Sequence, residues 1–293
     1  MSVWQSIIMG ILQGFTEFLP VSSSGHLAIF KYLFKIQTDT GILFDILLHF
    51  GTLISICVAF RREVLKLIVE GFGIFIDFCY NVPIFFRNLF SRAEKEEYYQ
   101  LITSPARKMV MMIIVSTIPT AVLGLAAKDF VEYAQMGLLI PGVCLLITAV
   151  LLFFADNAKP GKKKVKNIKY LNGFEVGMVQ GLATLPGISR SGSTITACIL
   201  LGFDKSFAVK YSFLMAIPAI LGATVLEFKD VTLAGIEPKT WGIYLVGMIF
   251  SAIIGYIAIK TVMVIARKKK FIVFSIYCFV IGMMAIIGNF VIK

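Results

Sequence analysis

Apolar residues in this chain occur in long runs separated by short polar stretches. Six runs are near or above the roughly 17–25 residues that a membrane-spanning helix needs. Two more apolar stretches, 3–34 and 172–203, are interrupted in the middle by proline, glycine and serine. Each half is short for a span, and proline stops a helix, so each stretch is predicted to be a re-entrant hairpin of two half-helices. The six uninterrupted runs, predicted to be transmembrane helices, cover about 43–60, 108–127, 136–155, 207–226, 241–262 and 271–291.

The two interrupted stretches resemble each other. The first reads GILQGFTEFLPVSSSGH from Gly10, and the second reads GMVQGLATLPGISRSGS from Gly177. Six residues recur at a constant spacing of 167, which predicts a duplicated unit. The pairs are Gly10 and Gly177, Gln13 and Gln180, Gly14 and Gly181, Ser22 and Ser189, Ser24 and Ser191, and Gly25 and Gly192.

Each predicted unit contains one re-entrant hairpin and three transmembrane helices. The units are 1–155 and 172–293, joined by a basic cytoplasmic linker at 156–171. An odd number of spans turns the second copy upside down relative to the first, so the two units form an inverted-topology repeat. The hairpin tips can then meet from opposite sides of the membrane.

Composition places the chain among all-α polytopic membrane proteins. It is 58% hydrophobic and 15% charged, whereas soluble domains are about 45–50% apolar and about 25% charged. The net charge of +11 is typical of basic residues retained on the cytoplasmic side, and we do not expect nucleic acid as a partner. The five cysteines lie in apolar runs without a C-x-x-C pair, which predicts neither a zinc site nor disulfides.

Lysine and arginine predict the orientation. Of the 28 such residues, 19 fall in 61–108, 156–171 and 260–270, while 6 fall in the connections on the other side. The positive-inside rule then places both termini outside the membrane. The segment 64–90 is apolar enough to conceal another span. We interpret it as an amphipathic cytoplasmic segment because an extra span would remove the charge asymmetry and because it contains Glu70, Asp77, Asn81 and Pro83.

The first break holds the groups of a chemical site. Gln13 and Glu17 are four residues apart and share a helix face. A membrane carboxylate costs roughly 2.5–3.5 kcal/mol on insertion scales, so Glu17 is a candidate metal ligand or acid/base group. The following SSSGH offers hydroxyls, N–H groups and the imidazole of His26 at a new helix start, which suits an anion. Helix capping by the serines and a structural histidine are the alternatives.

The second break adds a cation to the same pattern. Arg190 provides a planar fork that matches phosphate oxygens, and Ser189, Ser191 and Thr194 flank it with hydroxyls. Snorkelling is the alternative role of the arginine. Together the two tips indicate a phosphate-bearing ligand within the membrane and phosphoryl transfer from a lipid. Asp45 and His49 form an i, i+4 pair that we expect to stabilise packing, although a catalytic role is open.

At these motifs the chain resembles the bacterial undecaprenyl-diphosphatase family, the bacitracin-resistance proteins. The resemblance rests on QGFTEFLPVSSSGH and LPGISRSGST, and also on FDILLHFGT, STIPTAVLGL and YSFLMAIPAILGAT. It implies hydrolysis of undecaprenyl diphosphate to undecaprenyl phosphate and phosphate, which recycles the lipid carrier for cell-wall polymers. It also implies the bacterial cytoplasmic membrane, a pocket open to its outer face, and Mg²⁺ or Ca²⁺ as cofactor. Whether the chain forms a homodimer is open.

Carried over residue by residue, the resemblance places the catalytic roles on Ser23, His26 and Glu17. The family admits Glu or Gln at the first acidic position; this chain has Gln13, which leaves Glu17 as the single carboxylate for a metal. We favour Ser23 as nucleophile with His26 as base and later acid; in the competing version His26 or Glu17 activates water. Substrate-binding roles fall on Arg190, Ser189, Ser191, Thr194, Ser22, Ser24, Gly25 and Gln13.

The rival function is a transporter or flippase of a phosphorylated isoprenoid lipid. Inverted repeats, broken helices and midplane anion sites are general features of transporters. A transporter needs Arg190 and the anion cradles but has no need of a nucleophile beside a histidine and a carboxylate. Phosphatidic-acid-phosphatase-like enzymes also contain S-G-H, but their second catalytic histidine would fall on Thr196, which excludes them.

Overall fold

The computed structural model of the chain describes residues 1–34, 43–90, 95–134, 136–159, 161–229, 237–267 and 271–291. The predicted connections at 35–42, 91–94, 230–236 and 268–270 lie outside the described residues. Within the described residues the regular structure is helical, which confirms the all-α class. The helices are α1 (Val3–Phe18), α2 (Ser23–Phe34), α3 (Leu43–Ala59), α4 (Arg61–Phe90), α5 (Pro105–Ala126), α6 (Lys128–Ala134), α7 (Leu139–Asn157), α8 (Tyr170–Leu182), α9 (Arg190–Leu200), α10 (Lys205–Phe228), α11 (Pro238–Arg267) and α12 (Ile272–Val291).

Six of these helices are long and apolar enough to cross a membrane, so the chain is a multi-pass membrane protein: α4, α5, α7, α10, α11 and α12. Five of them coincide with predicted spans. The sixth predicted span, at 43–60, forms α3, which is apolar but only 17 residues long.

Helix α4 differs from the structure predicted for its segment. The segment interpreted as amphipathic forms one continuous helix of 30 residues that runs through Pro83, and it meets the length and composition of a span. Two of the charges held against a span are paired, because Arg107 of α5 contacts Glu70 at 3.0 Å and Asp77 at 2.5 Å. Whether α4 crosses the bilayer or lies along its surface stays a prediction.

Both interrupted stretches fold as two short helices with a tight turn between them. In the first, α1 ends before Pro20, and Ser22 adopts a left-handed conformation with φ of 71°. In the second, the turn contains Gly187 with φ of 97°. The same cap starts both second helices: the amide of Gly25 donates to Ser22 Oγ at 3.2 Å, as that of Gly192 donates to Ser189 Oγ at 3.0 Å.

The two sets of helices pack reciprocally. Helix α1 lies against α11, and its counterpart α8 lies against α5. The recurring glycines permit this close approach: a Cβ on Gly14 would lie 2.8 Å from the carbonyl oxygen of Ser251, and one on Gly181 would lie 2.6 Å from Leu123 Cβ. The duplication of the unit and the inversion of one copy relative to the other stay predictions.

The main buried cluster packs against the helices that flank both turns. The ring of Phe18, at the end of α1, packs edge-on against Phe213 of α10 with ring centroids 5.4 Å apart. Ile195 and Cys198 of α9 belong to the same cluster and are fully buried. The two short hairpins are therefore held by the long helices around them.

Candidate active site

The two hairpin tips are in contact, as the sequence predicts. A Cβ on Gly25 would lie 2.9 Å from Gly187 Cα, so the backbones meet at a point where neither of them has a side chain. The hydroxyl of Ser191 donates to the carbonyl of Leu19 at 3.4 Å across the same junction. Residues about 170 positions apart in the chain are thereby placed in one site.

Glu17 is the centre of the site. Its Oε1 accepts from the guanidinium of Arg190 at 2.5 Å. Its Oε2 accepts from Ser23 Oγ at 2.6 Å and from Gln13 Nε2 at 3.1 Å. The Glu17 side chain is only 6% exposed, so these partners replace water around a buried charge. Four of the predicted site residues are therefore brought together by direct contacts.

This arrangement suits attack on a phosphate. The Ser23 hydroxyl points its hydrogen at a carboxylate, which is the acceptor that a hydroxyl nucleophile needs. Arg190 carries five N–H donors and its side chain is 22% exposed, so it can also bind phosphate oxygens. A nucleophile, a proton acceptor and a cation are thus adjacent.

Both ring nitrogens of His26 have hydrogen-bond partners other than Ser23. Its Nδ1 lies 2.7 Å from the carbonyl oxygen of Ser22, so Nδ1 carries the hydrogen. Its Nε2, 2.9 Å from the hydroxyl of Tyr277, then accepts in the neutral imidazole. The two rings also stack with centroids 5.6 Å apart. The geometry aligns Glu17 with the Ser23 hydroxyl, while the role of His26 as base stays a prediction.

Tyr277 was missed by the sequence analysis. It lies in α12, within a run from 271 to 291 that is otherwise mostly apolar, and it has no counterpart in the 167-residue repeat. A hydroxyl-bearing residue inside a span was the available signal, but aromatic residues are common in such helices.

His49 lies nearer to the site than expected. Its Nδ1 donates to the backbone carbonyl of Asp45 at 2.9 Å, and its Nε2 lies 4.0 Å from Glu17 Oε2. The carboxylate of Asp45 pairs instead with Lys31 at 2.5 Å. The two side chains therefore do not form the pair that their spacing suggested, and His49 faces the active-site carboxylate.

The hydroxyls of the second tip are bound mainly to their own surroundings. Ser189 caps α9, and its amide donates to Thr148 Oγ1 at 3.0 Å. Thr194 donates to the carbonyl of Arg190 at 2.8 Å and contacts Ser212 Oγ at 2.6 Å. These bonds fix the start of the helix that carries Arg190.

The remaining predicted substrate ligands lie in the tips as well. Ser22 Oγ contacts Ser24 Oγ at 3.4 Å, and Ser189 Oγ contacts Ser191 Oγ at 3.3 Å. Ser22 and Ser189 are already engaged as caps. Direct contacts of the tip hydroxyls with substrate stay a prediction.

The donor set for a divalent cation is small. The described residues contain no group of three or more His, Cys, Asp or Glu side chains suited to a metal. Gln13 Oε1 is buried and accepts no hydrogen bond from the described residues, while Nε2 of the same amide donates to Glu17. One carboxylate and one amide oxygen fit a cation that is held largely by substrate phosphates and water, as Mg²⁺ often is.

Comparison with known proteins identifies the family of the chain. The model of the family described as bacitracin resistance protein BacA matches residues 6–284. A protein of Halothermothrix orenii named undecaprenyl-diphosphatase is 39% identical over 287 residues, covering 98% of each chain. Proteins with the same name from Alkaliphilus metalliredigens and Treponema denticola are each 38% identical, the first covering 98% of both chains and the second 97% of this chain and 96% of its own. The chain belongs to the bacitracin resistance protein BacA family.

Proposed function

We propose that this protein hydrolyses undecaprenyl diphosphate to undecaprenyl phosphate and inorganic phosphate within the membrane. The relatives named undecaprenyl-diphosphatase align with this chain over nearly their whole length. The observation that carries the proposal is the hydrogen bond from Ser23 to Glu17 beside Arg190. This contact joins a nucleophile to a proton acceptor at a phosphate-binding cation, which a transporter or flippase does not need.

Substrate binding begins at Arg190. The terminal phosphate of the lipid engages the guanidinium, which neutralises charge on the phosphoryl oxygens. Because the guanidinium also contacts Glu17, a phosphate that takes over this cation leaves the carboxylate free to accept a proton. The isoprenoid tail stays in the bilayer, so only the diphosphate enters the polar tips.

Chemistry then proceeds in two displacements. The Oγ of Ser23 attacks the terminal phosphorus while its proton passes to Glu17. The bond from phosphorus to the bridging oxygen breaks, and undecaprenyl phosphate leaves with the electron pair. Water then attacks the phosphoserine, and the bond between phosphorus and Ser23 Oγ breaks with its electron pair on that oxygen. Glu17 returns its proton to Ser23 Oγ, and both protons of the attacking water leave with the released phosphate. His26, held by Ser22 and Tyr277, orders the tip and is the second candidate base.

A divalent cation fits the proposal through Glu17 and Gln13 Oε1, where it would neutralise part of the diphosphate charge. The orientation that we propose places both termini and the pocket toward the outer face of the bacterial cytoplasmic membrane. It is supported by the distribution of Lys and Arg. The proposed product is the form of the lipid carrier that cell-wall polymer synthesis uses again.

The experiment is phosphate release from undecaprenyl diphosphate by the purified protein in detergent. Wild type is compared with Ser23→Ala and His26→Ala, with and without a chelator. Thr261→Ala is the matched control, because that hydroxyl is exposed and donates only to the backbone of its own helix. We expect Ser23→Ala to lose at least about 10²-fold in turnover while lipid affinity is kept, and Thr261→Ala to match wild type.

Two outcomes would change the proposal. Near-normal turnover by Ser23→Ala would transfer the attack to a water molecule activated by Glu17 or His26. No release from a folded wild type that still binds the lipid would favour the transporter or flippase. The chelator arm measures the cation dependence directly.

A further inference from the structure

A polar cavity lies at the other end of α3 from the hairpin tips. Its volume is about 350 Å³. His49, which faces Glu17, and Val58, which lines the cavity, are nine residues apart on α3, or about 13 Å along the helix axis. The cavity is therefore separate from the hairpin tips. Its lining includes Val58, Ala59, Arg61, Arg62, Tyr256 and Lys260.

The lining carries an excess of positive charge. Three cations, Arg61, Arg62 and Lys260, face the cavity, and none of them forms an ion pair within the described ranges. The carboxylate in the lining, Glu63, is bound to Lys210 of α10 at 2.6 Å. Lys210 from outside the cavity and Arg62 within it both act on this carboxylate, so the lining keeps an excess of positive charge that can attract an anion.

The walls beside the cations are apolar and aromatic. Val58 is 54% exposed and Tyr256 is 38% exposed, and Lys260 Nζ lies 5.4 Å from the centre of the Tyr256 ring. A free phosphate would use the cations and leave these walls in contact with water. A lipid would place its phosphate on the cations and its acyl chains along Val58.

We propose that this cavity binds the phosphate of an anionic phospholipid headgroup. Two arginine forks suit a phosphodiester. Basic pockets between transmembrane helices on the cytoplasmic side are typical sites for acidic lipid headgroups. The basic segments 61–108 and 260–270 predict that this end of the helices faces the cytoplasm. The proposal is independent of the reaction at the hairpin tips.

The test is native mass spectrometry of the full-length protein. Wild type in detergent is given equal amounts of phosphatidylglycerol and phosphatidylcholine with the same acyl chains, and bound lipid is counted. The variant replaces Arg61, Arg62 and Lys260 by Gln. The matched control replaces Lys162, Lys164 and Lys166 by Gln. These lysines are exposed in the basic linker, so the control removes the same number of positive charges outside the cavity.

We expect wild type and the control to retain one phosphatidylglycerol in preference to phosphatidylcholine, and the Arg61/Arg62/Lys260 variant to lose that preference by about tenfold or more. Thermal unfolding in detergent verifies that the variant is folded. Equal phosphatidylglycerol retention in the variant and wild type would overturn the proposal. Displacement by excess inorganic phosphate, with no preference between the two lipids, would identify a soluble-anion site and would overturn the lipid assignment.

Discussion

Replacement of Arg190 by alanine tests the active site most directly. Arg190 is the cation bound to Glu17, the carboxylate that also accepts from the proposed nucleophile Ser23. Loss of one preorganised donor at a developing oxyanion costs about 10²–10³-fold in turnover, or roughly 2.7–4 kcal/mol. A guanidinium can offer two such donors, so we expect Arg190→Ala to lose at least about 10³-fold in kcat/KM. Arg190→Lys keeps the charge without the planar fork, so its kcat/KM should lie between those of Arg190→Ala and wild type.

The same change also affects stability. Glu17 is 6% exposed and would lose its cation, while its bonds from Ser23 and Gln13 remain. Breaking one partner of a buried ion pair costs about 3–5 kcal/mol. Because the Arg190 side chain is 22% exposed, water can replace part of the interaction, and we expect about 3 kcal/mol or less. The protein should remain folded with a lowered Tm.

A second substitution separates the two effects. The double variant Arg190→Ala/Glu17→Gln has no unpaired charge at this position. Its Tm should be higher than that of Arg190→Ala, but phosphate release should not be restored. The matched control is Arg107→Ala, which also removes an arginine from carboxylates but lies outside the active site. It should lower Tm and leave kcat/KM within about threefold. If Arg190→Ala keeps kcat/KM within tenfold of wild type, the assignment of this arginine to the substrate phosphate is wrong.

Three further predictions concern the residues around this pair. Gln13→Glu should keep activity and raise its dependence on Mg²⁺, since the carboxylate replaces an amide donor beside Glu17 with a cation ligand; inactivity in a Mg²⁺ titration would contradict this. Tyr277→Phe removes one hydrogen bond to His26, net worth about 1 kcal/mol, and should lower turnover about fivefold; unchanged turnover would mean that Tyr277 does not order His26. Gly14→Ala should lower Tm because its Cβ would meet α11, whereas in Gly222→Ala the Cβ meets nothing within 4 Å; equal Tm values would contradict the close packing.

The contacting tips were predictable because they depend on local chemistry. In both stretches proline, glycine and serine are clustered where the helix ends, and the repeat at a spacing of 167 identifies the two breaks as counterparts. Gln13 and Glu17 share a face through helical periodicity alone. Arg190 could be assigned to the site because an unpaired guanidinium is costly in a membrane.

The contacts of the two histidines were not predictable from sequence. His26 bonds to Tyr277, 251 positions away, and His49 reaches Glu17 across two helices. Such pairings depend on the rotation and crossing of packed helices, which the periodicity of the sequence does not determine. Helix α4 shows the same limit: the carboxylates of Glu70 and Asp77 argued against a span, but their partner Arg107 lies in another helix.

The pairing of Glu17 with Arg190 has a consequence for biosynthesis. The two residues are 173 positions apart, and at roughly 5–20 residues per second the ribosome needs about 9–35 s to pass from one to the other. During that interval the carboxylate has no guanidinium to neutralise it, and burying it costs roughly 2.5–3.5 kcal/mol. The first hairpin is therefore expected to settle into place only after the second has emerged. Completion of the site and completion of insertion are then a single late event.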